Sequence, residues 1–160
     1  MTIQVGDKLP QITVSTMTDE GPKPVSMEEL CAGKKVVLFA VPGAFTPTCS
    51  VQHLPGFITN ASSLKDKGAE VVACISVNDP FVMAAWGKDR NVADDILMLS
   101  DGNAEFTSAI GLEMDGSGFG LGTRSQRYAM IIDDGVVSTL NVESGPALEV
   151  SSAEAILEAL

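Results

Sequence analysis

Lys35-Val36-Val37-Leu38-Phe39-Ala40-Val41-Pro42-Gly43-Ala44-Phe45-Thr46-Pro47-Thr48-Cys49-Ser50 is the stretch that decides the fold. Its opening run to Val41 is short, continuous and β-branched, the pattern of a strand buried on both faces of a parallel sheet. A loop with two prolines follows, so Cys49 falls beyond the strand's carboxyl end and at the start of a helix. In open α/β sheets the crevice at that edge binds ligands, and the free N–H groups of a helix N-terminus favour an anion. Helix N-termini and nearby cations lower a cysteine pKa from about 8.5 to roughly 3.5–7.5, which turns a thiol into a nucleophile. Thr46, three residues before Cys49, has a hydroxyl that either points back toward the sulfur or a bound oxygen, or caps the helix.

Working outward, Ile12–Thr16 reads as an extended piece and Ser26-Met27-Glu28-Glu29 as a capping box for a short helix ending near Gly33. Cys49 to about Lys67 reads as a helix bent at Pro55-Gly56 and stopped by Gly68, and Glu70–Val77 as a second buried strand, completing a βαβ unit. Asp79-Pro80 supplies an N-cap and a first-turn proline for a helix through about Asp89. A strand at Ile96–Leu99 and a small helix at Ala104–Ile110 come next. Gln126–Ile132 and Val136–Val142 flank Asp134-Gly135, a type I′ hairpin signal, and Ser151-Ser152-Ala153-Glu154 caps a last helix to Leu160. Asp19–Pro24, Gly111–Gly122 and Ser144–Pro146 are turn-rich, and neither a repeat nor a linker divides the chain. The expectation is one α/β domain over residues 1–160 with a central mixed sheet flanked by helices, an order that resembles the thioredoxin fold.

Composition narrows the function classes. At 160 residues and 45% apolar content the chain is long enough for one substantial core. A formal net charge of −11 with only ten Lys and Arg argues against nucleic acid and anionic membrane surfaces as partners. No apolar run approaches the roughly 18–20 residues of a membrane span. Cys31, Cys49 and Cys74 are odd in number and unframed, which fits a reducing compartment. The cytosol is the simplest assignment, an organelle reached by a trimmed address the other.

Pro42, Thr46 and Cys49 form P-x-x-x-T-x-x-C, which resembles the active-site signature of the peroxiredoxins. Leu54-Pro55-Gly56-Phe57, Ser76-Val77-Asn78-Asp79-Pro80-Phe81-Val82, and Arg124 ahead of Arg127-Tyr128 resemble the type II, peroxiredoxin V-like class over nearly the whole chain. The resemblance implies a thioredoxin-like fold with a peroxiredoxin N-terminal extension and insertion. A thioredoxin carries C-x-x-C at this turn, whereas Thr46 stands at the first position of that frame. A lone activated thiolate must attack something other than a disulfide and be regenerated by another thiol.

The implied reaction is attack of Cys49 on hydrogen peroxide or a small alkyl hydroperoxide, leaving a sulfenic acid, with no metal or organic cofactor. Thr46 and Arg124 are expected to hold the peroxide oxygens, Arg124 also favouring the thiolate, and Pro42 to shape and shield the site. Arg127 is expected to pair or to frame the pocket. His53, the sole histidine, lies four residues after Cys49 and reads as packing or subunit contact, since an ionised thiol needs no base. The alternating Gly116, Gly118, Gly120 and Gly122 lack a phosphate-binding pattern and read as a turn. Phe45, Phe57, Phe81, Phe119 and Trp86 offer aromatic surface for a pocket or core, and the resemblance implies a homodimer meeting near the active-site loops.

Cys74, 25 positions after Cys49, is the candidate resolving cysteine, because some type II members use this spacing. It sits about 10 Å below its strand's end, and a disulfide needs Cα atoms within about 7 Å, so the helix start would have to unwind. Another branch resolves near the last helix, where this chain has Val150 and Ser151. Recycling by glutathione and glutaredoxin is therefore favoured over thioredoxin acting through Cys74, and Cys31 reads as structural. The competing readings are a redox sensor or binding module switched by Cys49 oxidation, and a disulfide reductase, which Thr46 disfavours.

Overall fold

The computed structural model describes residues 2–145 and 147–160, so Pro146 of the last turn-rich segment lies outside the described residues. The strands are β1 (Thr13–Thr18), β2 (Gly21–Ser26), β3 (Lys35–Ala40), β4 (Val71–Ser76), β5 (Leu97–Ser100), β6 (Glu113–Asp115), β7 (Thr123–Ser125), β8 (Tyr128–Asp133) and β9 (Val136–Val142). The α-helices are α1 (Met27–Cys31), α2 (Leu54–Asp66), α3 (Pro80–Asp89), α4 (Glu105–Ala109) and α5 (Ala153–Ala159). One sheet runs in the order β2-β1-β5-β4-β3-β8-β9, while β6 and β7 form a separate ribbon. β3, β4 and β5 are parallel, and β8 and β9 continue the sheet antiparallel beyond β3. This is the expected mixed sheet with helices on both faces.

Side-chain alternation sorts the strands into two cores. Val37, Phe39 and Val41 of the β3 run, Cys74 of β4, and Ala129 and Ile131 of β8 face a cluster closed by Leu54, Phe57, Ala61 and Leu64 of α2, Trp86 of α3 and Ile156 of α5. Val36, Leu38 and Ala40 face the opposite side, against Met27 and Cys31 of α1 and Phe106 of α4. Cys31 is fully buried, in line with its structural reading, and burial pushes its thiol up to about 11. Each fully buried Phe or Leu contributes roughly 1.5–3 kcal/mol. Phe39 and Phe57 add a stacked contact, with ring centroids 3.9 Å apart, that pins α2 to the central strand.

Most local signals act as the sequence predicts. Ser26 caps α1 by accepting from Glu29 N–H at 3.3 Å, and Asp79 caps α3 by accepting from Val82 N–H at 2.8 Å. Asp134 and Gly135 both have positive φ, 49° and 80°, as a type I′ turn requires. Two expectations need correction. Asp19–Pro24 contributes to β2, an edge strand that tolerates Pro22 and Pro24 because its outer side carries no ladder. The Gly111–Gly122 segment holds β6 and a 3-10 turn, with β7 following, rather than turns alone.

Candidate active site

The loop after β3 is held by more than its prolines. Asn78, between β4 and α3, accepts from Ala44 N–H at 3.0 Å and from the Ser76 hydroxyl at 2.6 Å. Thr46 donates its hydroxyl to Gly43 C=O at 2.7 Å and accepts from Ser50 N–H at its own carbonyl at 2.9 Å. Its hydroxyl thus braces the loop, and its carbonyl opens the helix. Between them Phe45 adopts φ 66°, a left-handed conformation disfavoured for a bulky side chain, which the flanking bonds maintain. Gly43 is closely approached: a Cβ there would lie 3.0 Å from Arg124 Nη1 and 3.1 Å from Thr46 Cγ2, so a larger residue needs those side chains to shift.

Cys49 enters a π-helical turn, Cys49–His53, instead of the first turn of one continuous bent helix. Pro55 has no N–H to return to the turn below, and Leu54 N–H reaches back five residues to Cys49 C=O. The turn widens at Cys49 and leads into α2, which Gly68 ends with φ 109°. Ser50, next to Cys49, accepts from the buried Trp86 Nε1–H at 2.9 Å, tying this turn to α3.

Cys49 is fully buried, and the guanidinium that reaches it belongs to Arg127, whose Nη2 lies 3.2 Å from Sγ. Arg124 instead donates Nε to Leu121 C=O at 2.9 Å and Nη1 to Pro42 C=O at 3.5 Å, bracing the β6–β7 ribbon against the Pro42 loop. In the resting site the contact to sulfur expected of Arg124 is thus made by Arg127. The physical reason is their place in the two sheets. Arg127, one residue before β8, is in phase with Ala129 and Ile131, which face the Cys49 cluster, whereas Arg124 belongs to β7 of the separate ribbon, where it pairs with Met114.

His53 is also buried, but it does more than pack. Its Nδ1 lies 3.0 Å from Arg127 Nη1 and its Nε2 lies 2.8 Å from Ser151 C=O. Arg127 can only donate and the carbonyl can only accept, so the ring is the neutral tautomer with the proton on Nε2. Burial between Phe39 and Phe57, followed by the charge of Arg127, lowers its pKa to about 3. Ser151 N–H and hydroxyl in turn donate to Glu143 Oε2 at 2.8 and 2.7 Å, as do the N–H groups of Glu149 at 2.9 Å and Val150 at 2.8 Å. Burial raises the Glu143 pKa, and these hydrogen bonds outweigh it, leaving the carboxyl below its ordinary value. Ser152, not Ser151, caps α5, accepting from Ala155 N–H at 3.2 Å.

Cys74 shares the buried cluster with Cys49, and all three cysteines are free thiols. Full burial pushes the Cys74 thiol well up, and Cys49 adds to this. Arg127, expected to pair or to frame the pocket, and His53, expected to pack or meet a subunit, join Pro42, Thr46, Cys49, Cys74 and Arg124 in the candidate site, together with Ser151, Glu143 and Asn78, which had no expected role.

Residues 4–157 match the redoxin family. Peroxiredoxin-2E, chloroplastic, of Arabidopsis thaliana is 55% identical over 99% of this chain and 69% of its own. Peroxiredoxin-2B of the same plant is 50% identical over 99% and 98%. Among solved structures, reduced Prx3 of Vibrio vulnificus in complex with hydrogen peroxide is 61% identical over 99% of both chains, with a TM-score of 0.95. Peroxiredoxin 5 of Alvinella pompejana is 38% identical over 98% of this chain and 97% of its own, with a TM-score of 0.86. The chain belongs to the redoxin family and is a peroxiredoxin, a thiol-dependent peroxidase on the thioredoxin fold, of a kind consistent with the type II class. Among the described residues, no helix is long and apolar enough to cross a membrane.

Proposed function

We propose that Cys49 is the peroxidatic nucleophile and that Arg127, rather than Arg124, is the cation acting on it. The sulfur gives an electron pair to one oxygen of hydrogen peroxide or a small alkyl hydroperoxide. The O–O bond breaks, the other oxygen leaves as hydroxide or alkoxide and takes a proton, and Cys49 is left as a sulfenic acid. The single observation carrying this reading is the Arg127 Nη2 contact of 3.2 Å to Cys49 Sγ. A permanent charge at that distance stabilises negative charge at the reacting centre, and Arg127 Nε, buried and without a partner among the described residues, is a spare donor for the leaving oxygen. Thr46 donates to Gly43 C=O in the resting site, and its oxygen still has acceptor capacity toward a peroxide O–H. Pro42 shapes the mouth of the site, and Arg124 holds that mouth through Pro42 C=O.

For recycling, glutathione condenses with the sulfenic acid, releasing water, and a glutaredoxin thiolate takes the glutathionyl group. Support comes from burial: Cys74 is fully enclosed beneath the nucleophile, so thioredoxin acting through a Cys49–Cys74 disulfide requires the π turn to unwind first. The assembly is a homodimer built on the exposed Phe45, Phe81 and Phe119 around the site, which are 50%, 66% and 88% accessible. The free cysteines favour a reducing compartment, cytosol or organelle.

Peroxide consumption with glutathione and glutaredoxin, set against thioredoxin and its reductase, tests the scheme in wild type, Cys49→Ser and Cys74→Ser. Cys49→Ser abolishes turnover and Cys74→Ser retains it with glutaredoxin. Turnover by Cys49→Ser sinks the peroxidase assignment, and loss of glutaredoxin-dependent turnover in Cys74→Ser transfers recycling to the disulfide route.

A further inference from the structure

We infer that Glu143 is a positioning residue for the peroxidase reaction, acting on the Cys49 sulfur at second hand through the 149–151 loop, His53 and Arg127. The inference rests on the assignment of Arg127 as the cation on Cys49.

Glu143 stands just past the end of β9, and its N–H donates to Arg127 C=O at 2.9 Å, so the two residues are cross-strand neighbours. An acid beside an arginine would ordinarily pair with it directly. Here the three salt bridges found among the described residues are all elsewhere, and the carboxylate turns instead to the loop. Its Oε2 accepts from the N–H groups of Glu149, Val150 and Ser151 and from the Ser151 hydroxyl. These four bonds fix the Ser151 carbonyl that receives His53 Nε2–H. The fixed imidazole offers its Nδ1 lone pair to Arg127 Nη1 and leaves Nη2 on the sulfur.

The detour has an electrostatic consequence. A carboxylate in contact with the guanidinium would offset the positive charge on which the thiolate depends. A neutral imidazole aligns the guanidinium and takes none of its charge. Glu143, Ser151, His53 and Cys49 all lie inside, from 0 to 7% exposed, so solvent does little to screen the arrangement. The same path ties the nucleophile to the docking of α5, which begins immediately after the loop.

The test is the second-order rate of Cys49 oxidation by hydrogen peroxide in the intact protein, followed by Trp86 fluorescence, for wild type, Glu143→Gln, His53→Asn and the double variant. Gln keeps an acceptor oxygen in place but loses the charge, and charge-assisted hydrogen bonds are roughly twice as strong as neutral ones. With the two residues acting in series, Glu143→Gln slows the wild type by about tenfold, the scale of a partly misplaced transition-state donor, and adds nothing to His53→Asn. A Glu143→Gln rate within twofold of wild type overturns the inference, as does an equal loss in both backgrounds, which marks a merely structural carboxylate. Should Glu143→Gln fail to fold, Ser151→Ala removes one of the four bonds and is expected to slow oxidation about two- to threefold; no slowing overturns the inference. All these outcomes leave the peroxidase assignment standing, since that rests on Cys49 itself and is tested by the turnover and oxidised mass of wild type and Cys49→Ser.

Discussion

Acid should weaken this protein through His53, by an amount the site itself sets. The imidazole titrates at about 3 in the folded chain against its ordinary 6.5. Between those values the unfolded chain holds a proton that the folded chain refuses, so the stability from this group is complete above pH 6.5 and is lost as pH falls toward 3. A tenfold difference in proton affinity between the two states corresponds to about 1.4 kcal/mol, which puts the whole effect on the order of 5 kcal/mol. Glu143, also depressed, acts in the same direction at lower pH. Urea unfolding of wild type and His53→Gln at half-unit steps from pH 7 to 4.5 isolates the histidine, because the other titrating groups are common to both proteins. Below pH 6 the wild type should lose about 1.4 kcal/mol more per pH unit than the variant. Parallel stability curves would refute the claim that a neutral, buried His53 joins Arg127 to Ser151.

Three further outcomes follow from the same geometry. Arg127→Lys, which cannot serve sulfur and imidazole together, should slow single-turnover oxidation of Cys49 by about 10²–10³-fold, whereas Arg124→Lys should cost about tenfold or less; the reverse order restores Arg124 to the sulfur. Ser50→Ala leaves the buried Trp86 N–H without its acceptor and should cost about 1–3 kcal/mol in urea unfolding, with a change below about 0.5 kcal/mol arguing that the indole finds another partner. Asn78→Ala frees Ala44 N–H and lets the strained Phe45 loop relax, so oxidation should slow about tenfold with little change in melting temperature, and an unaltered rate would remove Asn78 from the site's support.

The elements legible in the sequence were those whose signal is local. β3 declares itself by a continuous β-branched run, α3 by Asp79-Pro80, and the β8–β9 turn by Asp134-Gly135. β2 was hidden because Pro22 and Pro24 read as turn residues, and their tolerance depends on β2 being the sheet edge, a tertiary fact. The π turn was half visible: Pro55 announces a missing donor, but a bend and a widened turn satisfy that signal equally. In the site, Cys49 was legible from its place after a strand. Arg127 is legible by its phase with Ala129 and Ile131 once the Cys49 face is assigned, whereas what sets Arg124 apart is the β6–β7 ribbon, a tertiary fact. Glu143 and Ser151 carried no such signal, because their meeting depends on where the chain returns after β9.

If Cys49, in contact with Arg127, takes an oxygen from peroxide, the oxidised chain must carry it. Intact mass after stoichiometric hydrogen peroxide, with and without glutathione, on wild type, Cys49→Ser and Cys74→Ser tests it most directly. The expected product is one added oxygen that requires Cys49, becomes a glutathione adduct when glutathione is present, and persists in Cys74→Ser. An unchanged mass, or an oxygen still gained by Cys49→Ser, would contradict it.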